Sequence, residues 1–191
     1  MLEAGVLLLA ERGLSGLTLT DVGKTAGYSR GLPAHHFGTK EVFEEKLFEF
    51  LLDKCVVFET PSDVTPGFDG LLTTVTAFFE KCSENPVYSA ALKISLSDSW
   101  DKLISQKPHR ADLMMDKRQM VMEIFEFHLM KAKEQGEIQN EVDVGALAIV
   151  LTSSIRGIIT EGMANPDIDL KACVQQLNWL LRRGLAVKPK S

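Results

Sequence analysis

The densest run of chemically useful side chains lies between Thr18 and Glu41. Lys24, Arg30 and Lys40 are interspersed there with Thr20, Tyr28, Ser29, Thr39 and the pair His35-His36, and only Asp21 and Glu41 are acidic. Cations and short hydroxyls at this density suit a polyanion. A guanidinium can donate two parallel hydrogen bonds to a guanine edge or grip a phosphate, while hydroxyls and helix N-termini donate to phosphate oxygens without reading sequence. Arg30 is therefore the first candidate for base or phosphate contact, and Leu32 could meet a thymine methyl. Adjacent helical residues diverge by about 100 degrees, so His35 and His36 do not converge on one metal ion. The chain shows no nucleophile and base at workable spacing, no phosphate-cradling glycine loop and no metal-ligand cluster. No catalytic residue, metal or cofactor is expected; the enzymatic alternative would be an apolar cavity with His128 as base.

Positioning these groups requires short helices around a tight turn. Thr18 can cap one helix, with Asp21 three residues on completing a capping box and placing negative charge in the positive first turn. Ala26-Gly27 ends that helix, and Gly27 supplies the positive φ that the turn requires. Gly23 lets the two helices approach closely. Ser29 is a natural N-cap, so a second helix is predicted to begin at Arg30 and to carry Pro33 at its fourth position. Its outward face would present Arg30, Gly31, Leu32, Ala34 and His35 to a major groove, while Val22, Ala26, Pro33 and Phe37 point inward. Thr20, Tyr28, Thr39 and Lys40 are the expected phosphate clamps, packing being the equal alternative for Tyr28, and Ser29 joins the residues expected at the DNA. A three-helix packing unit without a nucleic-acid role is the competing reading.

Several segments together resemble the N-terminal domain of TetR-family transcriptional regulators: Ala10-Glu11-Arg12-Gly13, Asp21-Val22-Gly23, Ala26-Gly27-Tyr28-Ser29, His35-His36-Phe37 and Thr39-Lys40-Glu41. One departure stands out. Where the family usually has a Leu-Tyr pair before the histidines, this chain has Pro33-Ala34, so the ring often laid against the DNA backbone is missing. The resemblance implies a homodimeric regulator, most simply a repressor, that binds a palindromic operator and releases it when a small-molecule effector enters the C-terminal domain. It also implies that His35 contacts the DNA backbone and that His36 lies more inward. A helical adaptor or ligand-binding protein with a decayed DNA-binding domain is the alternative.

The rest of the chain reads as helices. An all-α fold of about nine helices is expected, with residues 1–40 as the DNA-binding domain and 41–191 as the effector-binding and dimerisation domain. A helix from the Thr39 cap runs to about Phe58. Others carry Phe78, Phe79 and Cys82, then Tyr88 through Leu103 in a sixth helix, and Met114, Met122, Phe125 and His128 in a seventh that Gly136 ends. Methionine adapts its shape and aromatic rings supply area, so these residues could line the effector pocket that the resemblance implies. Tyr88, Trp100, His128, Arg156, Ser95 and Ser99 are the polar groups that could orient a ligand, and for each an ordinary core position competes. Arg156 could instead pair with a carboxylate at a subunit interface.

Asp143 should cap an eighth helix running to Ala164 before Asn165-Pro166, and a ninth follows from about Leu170 to Arg183. The eighth is apolar on most sides, so the last two helices are expected to form the homodimer interface. Arg156 interrupts the apolar run from Val144 to Thr160 and its centre is polar, which argues against a membrane span. The net charge of −5 argues against nonspecific coating of nucleic acid, and favours binding through a small local positive face. Cys55, Cys82 and Cys173 show no paired metal spacing and read as reduced core residues. With no basic segment before an apolar run in Met1 to Ala10, a cytoplasmic location is expected.

Overall fold

A computed structural model describes residues 1–55, 60–165 and 167–186. Phe58, the side chain of Cys55 and Pro166, all named in the sequence reading, lie outside the described residues. Ten helices form among the described residues: α1 (Leu2–Arg12), α2 (Leu19–Thr25), α3 (Leu32–Phe37), α4 (Lys40–Cys55), α5 (Phe68–Glu84), α6 (Pro86–Ser95), α7 (Asp98–Ser105), α8 (Pro108–Glu134), α9 (Val144–Ala164) and α10 (Leu170–Leu185). The pairing of Ile138 with Ala186 is an isolated β-bridge. The fold is all-α, as expected, with one helix more than the nine read from sequence.

The extra helix comes from a break at Leu96-Ser97. Ser95 and Ser97 turn their hydroxyls back onto the carbonyls of Leu92 and Ile94, at 2.7 and 2.8 Å, and Ser97 adopts an extended conformation. Such hydroxyls compete with the helical ladder. Asp98 and Asp101 then favour a fresh N-terminus by placing negative charge in its first turn. Elsewhere the caps act as read: Asp143 and Asp169 accept from the N–H groups of Ala146 and Ala172 at 3.0 Å, and Gly136 follows α8 with φ of 70°.

The chain divides into two compact units. The first joins α1–α4 with α6, α7, the end of α5 from Cys82 and α8 up to Lys117; the second holds residues 60–81 and everything described from Arg118 onward. The N-terminal unit is thus larger than residues 1–40. Its core explains why: Ala91 and Ile94 of α6 and Trp100 and Leu103 of α7 are buried in one cluster with Val6, Leu9, Val22, Phe43 and Phe48. Burying each large apolar side chain contributes roughly 1.5–3 kcal/mol, so the residues of α6 and α7 enlarge a core that would be small in three short helices alone. Gly5 permits the closest approach within it, since a Cβ there would stand 2.6 Å from Cζ of Phe43.

In the second unit Val121, Phe125, Leu129 and Ala132 of α8 are buried along with Ala148, Leu151 and Ile155 of α9 and Val174 and Leu181 of α10. Asn178 donates to Thr76 at 3.0 Å, and Thr152 donates to the sulfur of Met122 at 3.3 Å. These bonds tie α10 to α5 and α9 to α8.

Candidate nucleic-acid interface

Thr18 builds the first corner of the site. Its hydroxyl accepts from the N–H of Asp21 at 3.1 Å and donates to the Asp21 carboxylate at 2.8 Å. That hydrogen bond, ahead of the nearby Lys24 and Arg12 charges, holds the Asp21 carboxyl below its ordinary range. The other end of α2 closes with Gly27 at φ 76°. There Tyr28 N–H donates to Gly23 O at 2.8 Å and Gly27 N–H to Lys24 O at 3.1 Å, a Schellman pair.

The helix α3 starts later than the sequence suggested. It begins at Leu32, not Arg30, with Gly31 before it, and Pro33 occupies one of its first two positions. A proline there has no intrahelical bond to lose, which resolves the conflict that a fourth-position proline would have posed. Pro33 is buried against α2, where a Cβ on Gly23 would lie 3.1 Å from its Cδ and 2.7 Å from Ser29 O. Pro33 thus packs closely on α2 beside Gly23.

Around this frame Thr20, Tyr28, Ser29, Arg30, Gly31, Ala34, His35 and Thr39 are exposed, while Leu32 and Lys40 are half-buried. His36 is exposed as well, its ring edge-on to Phe37 at 4.6 Å, and Phe37 in turn packs on Phe43 at 4.9 Å. Val22 is fully buried; Ala26 and Phe37 are half-buried. Thr39 accepts from Val42 N–H at 3.3 Å and so caps α4. Lys40 donates to Leu14 O at 3.1 Å and lies 3.6 Å from Glu44. Lys24 and Arg12 both stand 3.5 Å from Asp21. Arg30 makes no ion pair among the described residues, so its guanidinium is the cation left to meet an external anion.

Residues 1–45 match the family model described as bacterial regulatory proteins, tetR family. The N-terminal segment is that of a TetR-type regulatory protein. Two TetR-type relatives are similar beyond the matched domain. The transcriptional repressor KstR2 of Mycobacterium tuberculosis is 26% identical over 144 residues, 75% of this chain and 70% of that protein. The repressor AcnR of Corynebacterium efficiens is 26% identical over 162 residues, 84% and 78% of the two chains. Among solved structures, that of the ketosteroid regulator KstR2 superimposes with a TM-score of 0.71 at 22% identity, covering 98% of this chain and 93% of that one. The complex of SmeT with triclosan, SmeT being a repressor from Stenotrophomonas maltophilia, gives 0.70 at 21% identity with 97% and 90% covered. These likenesses place the whole chain in the TetR fold.

The ten residues considered for an effector fall into two groups. Cys82, Tyr88, Trp100 and Met114 belong to the N-terminal unit. Trp100 stacks on Phe48 at 5.4 Å, Met114 packs against the same core, and Lys54 lies over the Tyr88 ring at 5.4 Å. Phe78, Phe79, Met122, Phe125, His128 and Arg156 belong to the second unit. Phe78 and Phe79 meet edge-on at 5.7 Å and are buried, as are Phe125 and His128. Gly67 N–H donates to Nδ1 of His128 at 3.5 Å, and Thr60 Oγ1 is 3.5 Å from Nε2, consistent with a neutral imidazole that donates to the hydroxyl. Burial pushes the His128 pKa down. Arg156 is exposed, with no ion pair among the described residues. A cavity of about 420 Å³ in this unit is lined by loop residues including Asp63, Thr65 and Glu137 and by Asp69 and Thr73 of α5, and by none of the ten.

Sequence reasoning missed a cluster in the N-terminal unit. Arg110 is 1% exposed and bonds to Glu45, Gln106 and the Leu103 carbonyl. No periodic signal marks it, because Arg110 sits in a polar helix start that reads as surface.

Proposed function

We propose that this chain is a TetR-family regulator, a cytoplasmic homodimeric repressor that binds a palindromic operator through α3 and the turn before it, and that a small molecule entering the second unit releases it. The observation that carries the DNA half is the unpaired, exposed Arg30 in the turn that precedes α3, beside exposed Tyr28, Ala34 and His35. Arg30 reads or grips the groove; Thr20, Tyr28, Ser29, Thr39 and His35 set register on phosphates, with Gly31 and Leu32 at the base edges. Lys40 contributes charge from a position it also needs for the Leu14 carbonyl.

Two recognition helices must sit roughly 34–36 Å apart to enter successive major grooves, which requires a dimer. Exposed Ile149 and Val150 on α9 and Trp179 and Leu180 on α10 support those two helices as the interface. KstR2 is described as a ketosteroid regulator and SmeT is seen with triclosan. Both names point to apolar effectors, which suits Phe78, Phe79, Met122 and Phe125, with His128 and Arg156 as polar partners. Met114, Trp100, Tyr88 and Cys82 take the supporting part in the N-terminal core.

The deciding experiment is selection of duplexes from a random pool by the purified protein at moderate salt, with Arg30→Ala in parallel. A recovered palindrome, lost or relaxed in the variant, supports the reading. No enrichment by the wild-type protein would shift weight to an adaptor with a decayed DNA-binding domain. Release is tested separately: an effector whose affinity is the same for free and operator-bound protein cannot drive it.

A further inference from the structure

Arg110, in the first turn of α8, is a guanidinium buried to 1% exposure, a rare state for this side chain. Its Nη1 donates to the Leu103 carbonyl at the end of α7 at 2.5 Å and to Gln106 Oε1 at 2.8 Å. Its Nη2 donates to Glu45 Oε2 on α4 at 2.7 Å. The flat face lies 4.7 Å above the Phe48 ring, one turn further along α4. Gln106 donates in turn to Glu44 at 3.1 Å, and Lys107 and His109 stand 2.5 and 3.3 Å from the Glu45 carboxylate. Nε has no partner among the described residues.

A buried ion pair of this kind adds little net stability, because removing both charges from water offsets most of their attraction and an apolar pair of similar volume often serves as well. Directional bonds supply something packing does not. Apolar contacts between Phe48, Trp100 and Leu103 tolerate small slides along α4, whereas a planar fork bonded to a carbonyl, an amide and a carboxylate on separate segments does not. The helix held in this way is the one that supports α3: α4 carries Phe43 against Phe37, and the Thr39 cap and the Lys40 bond to Leu14 lie at its start.

We propose that Arg110 is a positioning residue for DNA binding, fixing the register of α4 against α7 and thereby the presentation of α3. The proposal rests on the DNA-binding reading above.

The test uses full-length protein and the duplex that the wild type selects. Dissociation constants, thermal midpoints and amide exchange without DNA are measured for Arg110→Lys and for the double variant Glu45→Leu with Arg110→Met. The double variant should keep its thermal midpoint within a few degrees of wild type, bind about tenfold more weakly, and exchange amides between residues 32 and 43 faster. Arg110→Lys keeps the charge but not the fork, and should also bind more weakly. Wild-type affinity in a folded double variant overturns the proposal. So does a loss of affinity that merely follows a loss of thermal stability, which would make the cluster a stability element alone. If the wild type itself selects no duplex, it is the DNA-binding reading that has failed, and the proposal falls with it.

Discussion

Arg30 and Lys40 carry the same charge within one short segment, yet their surroundings separate them. Lys40 is bonded to Leu14 O and near Glu44, whereas Arg30 is exposed and unpaired among the described residues. Arg30→Ala should cost about 1–3 kcal/mol of operator binding and relax preference at one base position, as measured by titration against single-base variants of the selected site. Lys40→Met should weaken all duplexes alike and reduce the salt slope by about one. Two titratable groups, half-buried Glu45 and buried His128, give a pH signature. The Glu45 carboxyl is held down to about 2, first by Lys107 and then by Arg110 and His109, against the cost of its own burial. Its folded value is below the ordinary 4.5, so its stabilisation is complete above pH 4.5 and is lost as the pH falls from there toward 2. Denaturant titrations should show Glu45→Gln with a shallower slope across that window. Burial places the folded pKa of His128 below 6.5, so the unfolded chain takes up the proton first. Stability should therefore fall as the pH drops below 6.5, and this dependence should flatten in His128→Gln.

At the scale of elements, the α2–turn–α3 unit is decided by backbone requirements. Gly27 needs its positive φ, and Gly23 needs to lack a side chain because Ser29 O would lie 2.7 Å from a Cβ. Gly23→Ala should destabilise by about 1–3 kcal/mol, an overpacking cost, and should reduce operator affinity more than that loss explains. Thr18→Ala, which removes the cap at Asp21 N–H, should cost about 1 kcal/mol in chemical denaturation. Caps and turns were legible in the sequence because each depends on one residue type at one offset. The start of α3 was not, since Ser29 looks like a cap; the fixed φ and missing N–H of Pro33 move the first turn to Leu32. The split between α6 and α7 was hidden for a similar reason, as serine hydroxyls bonding back to carbonyls leave no mark in an apolar pattern.

At the scale of the molecule, the exposed apolar residues on α9 and α10 are the surface that the proposed dimer would bury. The helix α9 is long and apolar enough to cross a membrane by composition, but Arg156, Ser153 and Thr160 on its exposed side suit a partner protein surface better than lipid. Ile149→Glu combined with Leu180→Glu should convert a dimer to monomer in sedimentation. The same variant should lose operator affinity while α1–α4 stay folded. With a net charge of −5, the whole molecule repels DNA except where local charge is arranged against it, so affinity should fall steeply with salt.

Local sequence was enough for the helical class and for the helix ends at Thr18, Gly27, Asp143 and Gly136. These depend on local rules, in which a residue and its neighbours three or four positions away settle the outcome. Tertiary structure decided what depends on distant partners. It placed α6 and α7 in the N-terminal core, buried Trp100 against Phe48, and brought Arg110 to Glu45 across sixty-five positions of chain. It also separated the paired Lys40 from the unpaired Arg30. No local pattern encodes such pairings, because which charge is neutralised and which ring is covered depends on where the folded backbone carries its partner.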